Sequence, residues 1–445
     1  MANFQEVLKN RNFFFLWVGQ IISQFGDRLN QMALIALIYA RAPGSTFQLA
    51  KILSFTIIPV FLVGPVAASY VDRWDRRRTM VCCDLLRAVL VALIVIFFIS
   101  SKSVWPIYII IFLVFSVSRF FVPAKMAIIP ELVSGDKLLL ANSLSSTTGM
   151  IAAAAGFGLG GLIVERVGSS GGFLIDALTY LISGIFISMI VTRAVSYFKE
   201  ASEKVPKISS ETSDYTPARP SISRAGGDFG KITQIIQRKR TLFAEIKEGW
   251  QFFLQDKDLR FVARIFFLLW SALGAVYIVI IVFVQRTLGS VTQDLGILAM
   301  TFGIGLFIGA LIYGSFGEKL SRMKAIFISL GAGGIALCAF TLGLKIFCSR
   351  FLAAGLSLIM GLTLSPIIIS SQTLVHEVTE QKMRGRIFGS LEIVAHLAFL
   401  LFMFLSSFLA ERVERFWILL FVGIIMTIVG WGALLLKVDK RGVRA

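Results

Sequence analysis

Two pairs of ionisable residues lie inside long apolar stretches of this chain. Asp27 and Arg28 are adjacent, about midway along the first stretch. Glu392 and His396 are four residues apart in a later one, so on a helix they share a face. Such groups are costly in apolar surroundings and usually serve a function, such as binding a proton or a cation. We predict that Asp27 responds to protons or cations and that Glu392 and His396 exchange a proton; a structural pair is the alternative in both places.

Three basic residues also lie inside the apolar stretches or near their ends. Arg119 lies deep in the fourth apolar stretch, Lys125 follows it near the end of the same stretch, and Arg264 lies near one end of the seventh. A charged residue inside a membrane span is a candidate for a functional role, and Arg119 is such a residue. Near a membrane surface, a long basic side chain either extends to the polar interface or binds an anionic headgroup. Both interpretations stay open for Lys125 and Arg264.

The elements that position these residues are predicted to be membrane helices. Of the 445 residues, 56% are hydrophobic and only 16% are charged, and the mean hydropathy is +0.81. A soluble domain does not hide that much apolar surface. Apolar runs of about 20 residues, the length that crosses a bilayer, recur roughly twelve times. These predicted spans are Phe13 to Tyr39, Leu49 to Val71, Met80 to Ile99, Val104 to Pro123, Leu139 to Val164, Phe173 to Val191, Val262 to Gln285, Leu295 to Phe316, Ala325 to Leu344, Phe351 to Ser370, Ile387 to Leu409 and Trp417 to Leu436.

A long polar segment separates the first six spans from the last six. We predict an N-terminal half at residues 1–193, a cytoplasmic linker at 194–257 and a C-terminal half at 258–445. Residues 200–228 are rich in Pro, Gly and Ser, which is typical of a flexible tether. The apolar residues after them recur at helical spacing beside basic ones, which predicts an amphipathic helix, either on the membrane surface or packed against the bundle.

The distribution of Lys and Arg predicts the orientation. Basic residues concentrate in the connections on the side of both chain ends and are sparse in the opposite set. By the positive-inside rule we expect both termini to be cytoplasmic. We also expect the membrane to be the inner membrane of a prokaryote. The net charge of +18 then reflects topology and contact with anionic lipids, and we expect no nucleic-acid partner.

The connection after the second span ends an apolar run abruptly in charged residues, in the segment GPVAASYVDRWDRRRTM from Gly64 to Met80. It resembles the loop between the second and third helices of major facilitator superfamily transporters, although Ala68 and Asp75 replace glycines of that pattern. The connection after the eighth span, YGSFGEKLSRMK, repeats the order of acid and base. A generic basic flank is the alternative. The resemblance predicts a conformational latch formed by Asp72, Arg73, Arg76, Arg77, Glu318, Lys319 and Arg322.

Other segments resemble one branch of this superfamily, which contains macrolide-type drug exporters and lysophospholipid transporters. They are FGDRLNQMAL, SRFFVPAKMAIIPELV, EGWQFFLQDKDLR and MRGRIFGSLEIVAH. The resemblance implies that Asp27 faces a cavity and that Arg119 takes part in proton coupling. The fifth span is similar to the Gly-rich antiporter motif of drug exporters, and its Gly156, Gly160 and Gly161 predict close helix packing.

No phosphate-binding loop, metal-ligand cluster or catalytic domain is recognised in the sequence, so we expect neither an enzyme nor a cofactor. The resemblance predicts an all-α membrane protein of the major facilitator fold, with twelve transmembrane helices in two pseudo-symmetric six-helix halves. We expect a secondary transporter that exports an amphipathic compound or drug in exchange for protons. The alternatives are a lysophospholipid transporter or flippase and a non-transporting membrane scaffold or sensor.

Overall fold

The computed structural model describes residues 4–71, 73–100, 103–191, 257–317, 320–378 and 384–435. These residues form α-helices and one 3₁₀ turn at Gly135–Lys137, and no β-strand occurs among them. The helices are α1 (Phe4–Leu8), α2 (Arg11–Arg41), α3 (Thr46–Leu62), α4 (Gly64–Val71), α5 (Arg76–Ser100), α6 (Trp105–Leu132), α7 (Leu138–Ser188), α8 (Lys257–Leu288), α9 (Gln293–Phe316), α10 (Arg322–Phe347), α11 (Arg350–Val378), α12 (Arg384–Leu409) and α13 (Arg415–Leu435).

Nine helices of the described chain are long and apolar enough to cross a membrane. One of them, α7, crosses twice, because Gly168 interrupts its 51 residues with φ 74° and ψ 176°. Its first part runs parallel to α2 from Gly149 to Gly160, and its second part runs antiparallel to α2 after the kink. The charged α2 and the joined α3 and α4 supply the remaining crossings, so the predicted twelve-helix membrane fold is confirmed.

The second predicted span is broken into α3 and α4. Pro65 follows Gly64 at the start of α4. A proline lacks the backbone N–H that would bond four residues back, which favours a helix break at this point. The two short helices together cover the length predicted for one span.

Each half has its own core of packed helices. In the N-terminal half, α2 packs on α7, α5 packs on α6 and α7, and α3 and α4 pack on α6. In the C-terminal half, α8 packs on α12, α9 on α11, and α10 on α11 and α13. Residues 192–256 lie outside the described residues, and with them the predicted tether and amphipathic helix, so the three-part division of the chain stays a prediction.

The halves meet mainly along two pairs of helices, α7 with α9 and α3 with α12, and α3 also touches α8. We call the end of the bundle that carries α1 the terminal face, and the opposite end, which carries Gly44 and Gly168, the distal face. The α7–α9 contact is the closer one. A methyl group added at Gly161 would lie 2.5 Å from the carbonyl oxygen of Thr292 and 2.8 Å from the Cα of Gly296. Only glycine allows the two backbones to approach this closely.

The other two glycines predicted to pack helices lie against α2 within the same half. An added methyl would be 3.0 Å from the Cβ of Arg28 at Gly156, and 3.2 Å from the Cα of Leu29 at Gly160. Consecutive turns of α7 therefore contact both its own half and the other half.

We expect Gly161→Ala to lower the free energy of unfolding by about 1–3 kcal/mol, because the added methyl forces α7 and α9 apart. The measurement is denaturant unfolding of the purified protein in detergent. Gly355→Ala on α11 is the matched control, since no atom lies within 4 Å of its added methyl. Equal stability of the two variants would contradict the close α7–α9 contact.

Candidate functional site

Asp27 is held by the second part of α7. Its carboxylate accepts a 2.5 Å hydrogen bond from the hydroxyl of Tyr180, a residue that is only 2% exposed. The guanidinium of Arg87, on α5, lies over the Tyr180 ring at 4.3 Å from the centroid. Asp27 itself is half-buried on α2. A helix-bound carboxylate at the edge of a buried polar network is thus fixed in position while it keeps some access to solvent.

The network continues to a buried ion pair. Arg87 binds Asp84 one turn earlier on α5, and both side chains are at most 3% exposed. Asp84 also accepts a 2.7 Å hydrogen bond from the hydroxyl of Ser183 on α7. The pair therefore joins α5 to α7, and through Tyr180 it reaches Asp27.

A third carboxyl group lies beside this network. Asp176 of α7 is fully buried and accepts a 2.6 Å hydrogen bond from the amide of Asn30, on α2. It also accepts a 3.3 Å bond from the hydroxyl of Thr179. Gly26 of α2 leaves room for this arrangement, because a methyl there would be 2.5 Å from an Asp176 oxygen. Of the three carboxyl groups, Asp84 binds the Arg87 guanidinium directly, and Asp27 is linked to it through Tyr180.

No ion pair joins Asp27 to its neighbour Arg28 in the described structure. The Arg28 guanidinium instead lies 5.1 Å from the centroid of the Phe157 ring and 3.4 Å from the side-chain oxygen of Gln31. Its Nε is buried and has no hydrogen-bond partner.

Arg119 and Lys125, on α6, face the same interior as Asp27. Both are half-buried. Arg119 interacts electrostatically with Asp27 and with Glu392 of the other half, and Lys125 interacts with Asp27. The Nε of Arg119 is buried without a hydrogen-bond partner. Two half-buried cations of the N-terminal half therefore lie near Asp27, whereas Arg264 is exposed on α8.

The wall of the C-terminal half is aromatic. His396 stacks on Trp270 with ring centroids 5.4 Å apart, and Phe61 of the N-terminal half meets the same imidazole edge-on at 5.7 Å. Its Nδ1 lies 2.8 Å from the backbone carbonyl oxygen of Glu392. His396 therefore contacts the backbone of Glu392 and not its carboxylate, and the Glu392 side chain is exposed.

On the terminal face, two arginines of the predicted latch join helices of the N-terminal half. Arg76 forms an ion pair with Glu131 on α6, and Arg77 donates to the backbone carbonyl of Ser188 at the end of α7. Arg73 is exposed, and Arg322 is half-buried at the start of α10. The other predicted members lie outside the described residues; they are Asp72, Glu318 and Lys319.

Sequence reasoning placed the charges of this site but missed the groups that hold them. Tyr180, Trp270 and Tyr277 were not singled out, and Arg87 was not connected to Asp27. The spacing of Asp84 and Arg87 was the one available signal, since residues three apart on a helix can pair. Among the described residues, no cluster of His, Cys, Asp and Glu is arranged to hold a metal ion.

Asp84→Asn should lower the free energy of unfolding by about 3–5 kcal/mol, because it leaves the buried Arg87 charge without its partner. The double variant Asp84→Asn/Arg87→Met, which removes both charges, should be the more stable of the two. Chemical unfolding in detergent measures both. A single variant that is as stable as the parent would contradict a buried ion pair.

Comparison with known proteins agrees with this architecture. A family model described as Major Facilitator Superfamily matches residues 16–291 and 265–445. The chain is 24% identical to macrolide efflux protein A of Streptococcus pyogenes over 419 residues, which is 92% of each protein. It is 23% identical to the uncharacterised MFS-type transporter YkuC of Bacillus subtilis, over 86% of this chain and 82% of that protein.

Solved structures show the same fold at low identity. The nucleoside transporter NupG aligns with a TM-score of 0.67 and 12% identity, over 95% of this chain and 98% of that one. A bacterial homologue of the iron transporter ferroportin, in its inward-facing state, aligns with a TM-score of 0.65 and 14% identity, over 95% and 98%. With family models matching both halves, the chain belongs to the major facilitator superfamily of membrane transporters.

Proposed function

We propose that this protein exports an amphipathic compound in exchange for protons, by alternating access of a central site between its two halves. The site consists of the charged groups of α2 and α6 and the aromatic wall of α8 and α12. The macrolide efflux proteins to which the chain is similar support efflux as the direction. In this proposal the termini are cytoplasmic, the membrane is the inner membrane of a prokaryote, and the terminal face is the side from which substrate enters.

The position of Asp27 is the observation that carries the proposal. Its carboxylate interacts with Arg119 and Lys125 across the interior and with Tyr180 behind it. An acidic group inside a membrane span is a functional candidate by default, because its burial there is costly. In this proposal, substrate binding and proton release are coupled at one group.

The buried network behind Asp27 supports proton exchange. Asp27, Asp84 and Asp176 interact with one another or with Arg87, whose side chain is buried. Carboxyl groups inside a membrane span are costly and are functional candidates, proton relays among them. Asp27 is the member of this set with access to solvent, and it is therefore the one through which protons enter and leave.

The aromatic wall suits the apolar body of an amphipathic substrate. Trp270 and Tyr277 are half-buried, and Phe399 packs against both with ring centroids 6.2 and 5.5 Å away. Large flat side chains bind apolar groups of varied shape and attract cations through their ring faces. Glu392 is exposed beside them and supplies a negative charge for a basic substrate group.

The test is transport of a fluorescent amphipathic cation into proteoliposomes that carry an imposed proton gradient. We expect gradient-dependent transport, and we expect Asp27→Asn to abolish it because the amide does not ionise and so cannot bind and release a proton near neutral pH. Glu414→Gln is the control: it removes a carboxylate on the distal face that pairs with Lys345. Transport that is unaffected by the gradient or by Asp27→Asn would contradict proton coupling.

A lysophospholipid transporter or flippase is the second candidate. The unpartnered Nε of Arg119 and the half-buried Lys125 favour it, because both face the interior and can bind a phosphate. Arg264, exposed at the start of α8, would meet the headgroup on entry. Movement of a labelled lysophospholipid without a gradient, reduced by Arg119→Gln and Lys125→Gln, would select this candidate. Absence of both activities would favour the scaffold or sensor.

A further inference from the structure

A carboxylate of the N-terminal half caps a helix of the C-terminal half at the distal face. Glu165, near the end of the first part of α7, accepts hydrogen bonds from the backbone N–H groups of Val291, Thr292 and Gln293 at 3.2, 2.6 and 3.1 Å. These groups form the start of α9, whose own N-cap residue, Thr292, makes no side-chain cap. The free N–H groups and the positive end of a helix dipole both favour an anion there.

A carboxylate of the C-terminal half does the same for a helix of the N-terminal half. Glu411 follows the end of α12 and accepts a 3.0 Å bond from the backbone N–H of Phe47, in the first turn of α3. The hydroxyls of Ser45 and Thr46 lie 2.9 and 3.2 Å from the same carboxylate oxygen. The two contacts are thus reciprocal, since each half caps the second membrane crossing of the other.

A threonine completes each contact in the same way. The hydroxyl of Thr292 lies 2.9 Å from the backbone carbonyl of Gly161, and that of Thr46 lies 2.9 Å from the carbonyl of Ser407. Each of these carbonyls belongs to the residue four positions before the capping glutamate. Both threonines are 0% exposed. The agreement between the two halves extends to the individual hydrogen bonds.

The sequence carries the same repeat. Glu-Arg-Val occurs at 165–167 and again at 411–413. The partner loops both place Gly-Ser just before the threonine, in the segments GST at 44–46 and GSVT at 289–292. Gly44 and Gly289 both have positive φ, 73° and 78°, so each loop makes the same turn into its helix.

These contacts are suited to being broken and remade. Glu165 and Glu411 are exposed on their outer side, so each carboxylate returns to water when the halves separate. Beneath the Glu411 contact, apolar residues from both halves, including Ile35, Leu49 and Val282, line the seam. At the rim, the polar contact keeps access to water, and below it apolar residues fill the seam. The distal face is thereby closed without a charge that stays buried permanently.

We propose that Glu165 with Thr292 and Glu411 with Thr46 form a symmetric pair of distal clasps, which hold the distal face closed and release when that face opens. The clasps set the equilibrium between the two access states of the transporter. They act on the halves and not on the substrate, so the proposal holds whichever compound is carried.

The clasp at Glu411 stays ionised at neutral pH. Although partial burial acts in the opposite direction, the bonds from Phe47, Ser45 and Thr46 and the charge of Arg415 lower the pKa of Glu411 below its usual value. Because the pKa of Glu411 is lowered, the contact is fully present at pH values above the ordinary pKa of a glutamate. It is lost only when the pH falls through the lowered pKa of Glu411. Motion of the halves, and not a change of pH near neutrality, therefore has to release it.

The test measures the distal distance between the halves in the full-length protein, reconstituted in nanodiscs. Spin labels are attached at Trp105→Cys on α6 and Phe351→Cys on α11, both exposed at the distal face, after replacement of Cys82, Cys83, Cys338 and Cys348 by Ser. Pulsed dipolar spectroscopy then gives the fraction of molecules with a long distance. We expect Glu165→Gln/Glu411→Gln to raise the ratio of open to closed molecules by about tenfold or more, since it removes charge from both helix caps.

Glu414→Gln is the matched control, because Glu414 is an exposed distal glutamate whose partner Lys345 lies in its own half. It should leave the distance distribution unchanged. Thr46→Val/Thr292→Val should shift the distribution in the same direction as the glutamate pair, at unchanged charge. A distribution in the glutamate double variant that equals that of Glu414→Gln would overturn the proposal. Size-exclusion profiles and helical circular dichroism show that each variant is folded.

Discussion

A charged side chain inside an apolar helical bundle must find a partner, and the arrangement of the N-terminal half depends on this constraint. Arg87 is almost fully buried and has Asp84 one turn away, with Tyr180 under its guanidinium. Because Tyr180 also donates to Asp27, the position of one buried cation determines how the solvent-accessible carboxylate is held. Close packing of α7 on α2, with glycines at the contact points, brings these groups within reach of each other.

The two halves differ in chemistry although they share a fold. The N-terminal half contributes Asp27, Arg28, Arg119 and Lys125 to the interior, whereas the C-terminal half contributes Trp270, Tyr277 and His396, with Glu392 as its carboxylate. In the proposed site, one half supplies a charged side and the other half supplies an aromatic side. Alternating access of the two halves, as proposed, changes the surroundings of the charges without rearrangement inside either core.

The contacts between the halves follow their pseudo-symmetry more closely than the interior does. The glycine contact of α7 with α9 lets two backbones touch, and the reciprocal caps at Glu165 and Glu411 add polar contacts at the distal face. These contacts involve backbone groups and the ends of helices. They therefore depend on the repeated fold, whereas the interior side chains differ between the halves.

The sequence by itself determined the membrane class, the crossings and the presence of charges within them, because hydrophobic length and the cost of buried charge are local properties. It also contained the Glu-Arg-Val repeat, whose meaning requires the partner loops. The tertiary structure decided which groups meet. Tyr180 and Asp27 are 153 residues apart in the chain, Glu411 and Ser45 are 366 apart, and Asp27 contacts neither its neighbour Arg28 nor any group that spacing alone would select. Helix packing sets such contacts, and no local pattern encodes which face of one crossing will meet which face of another.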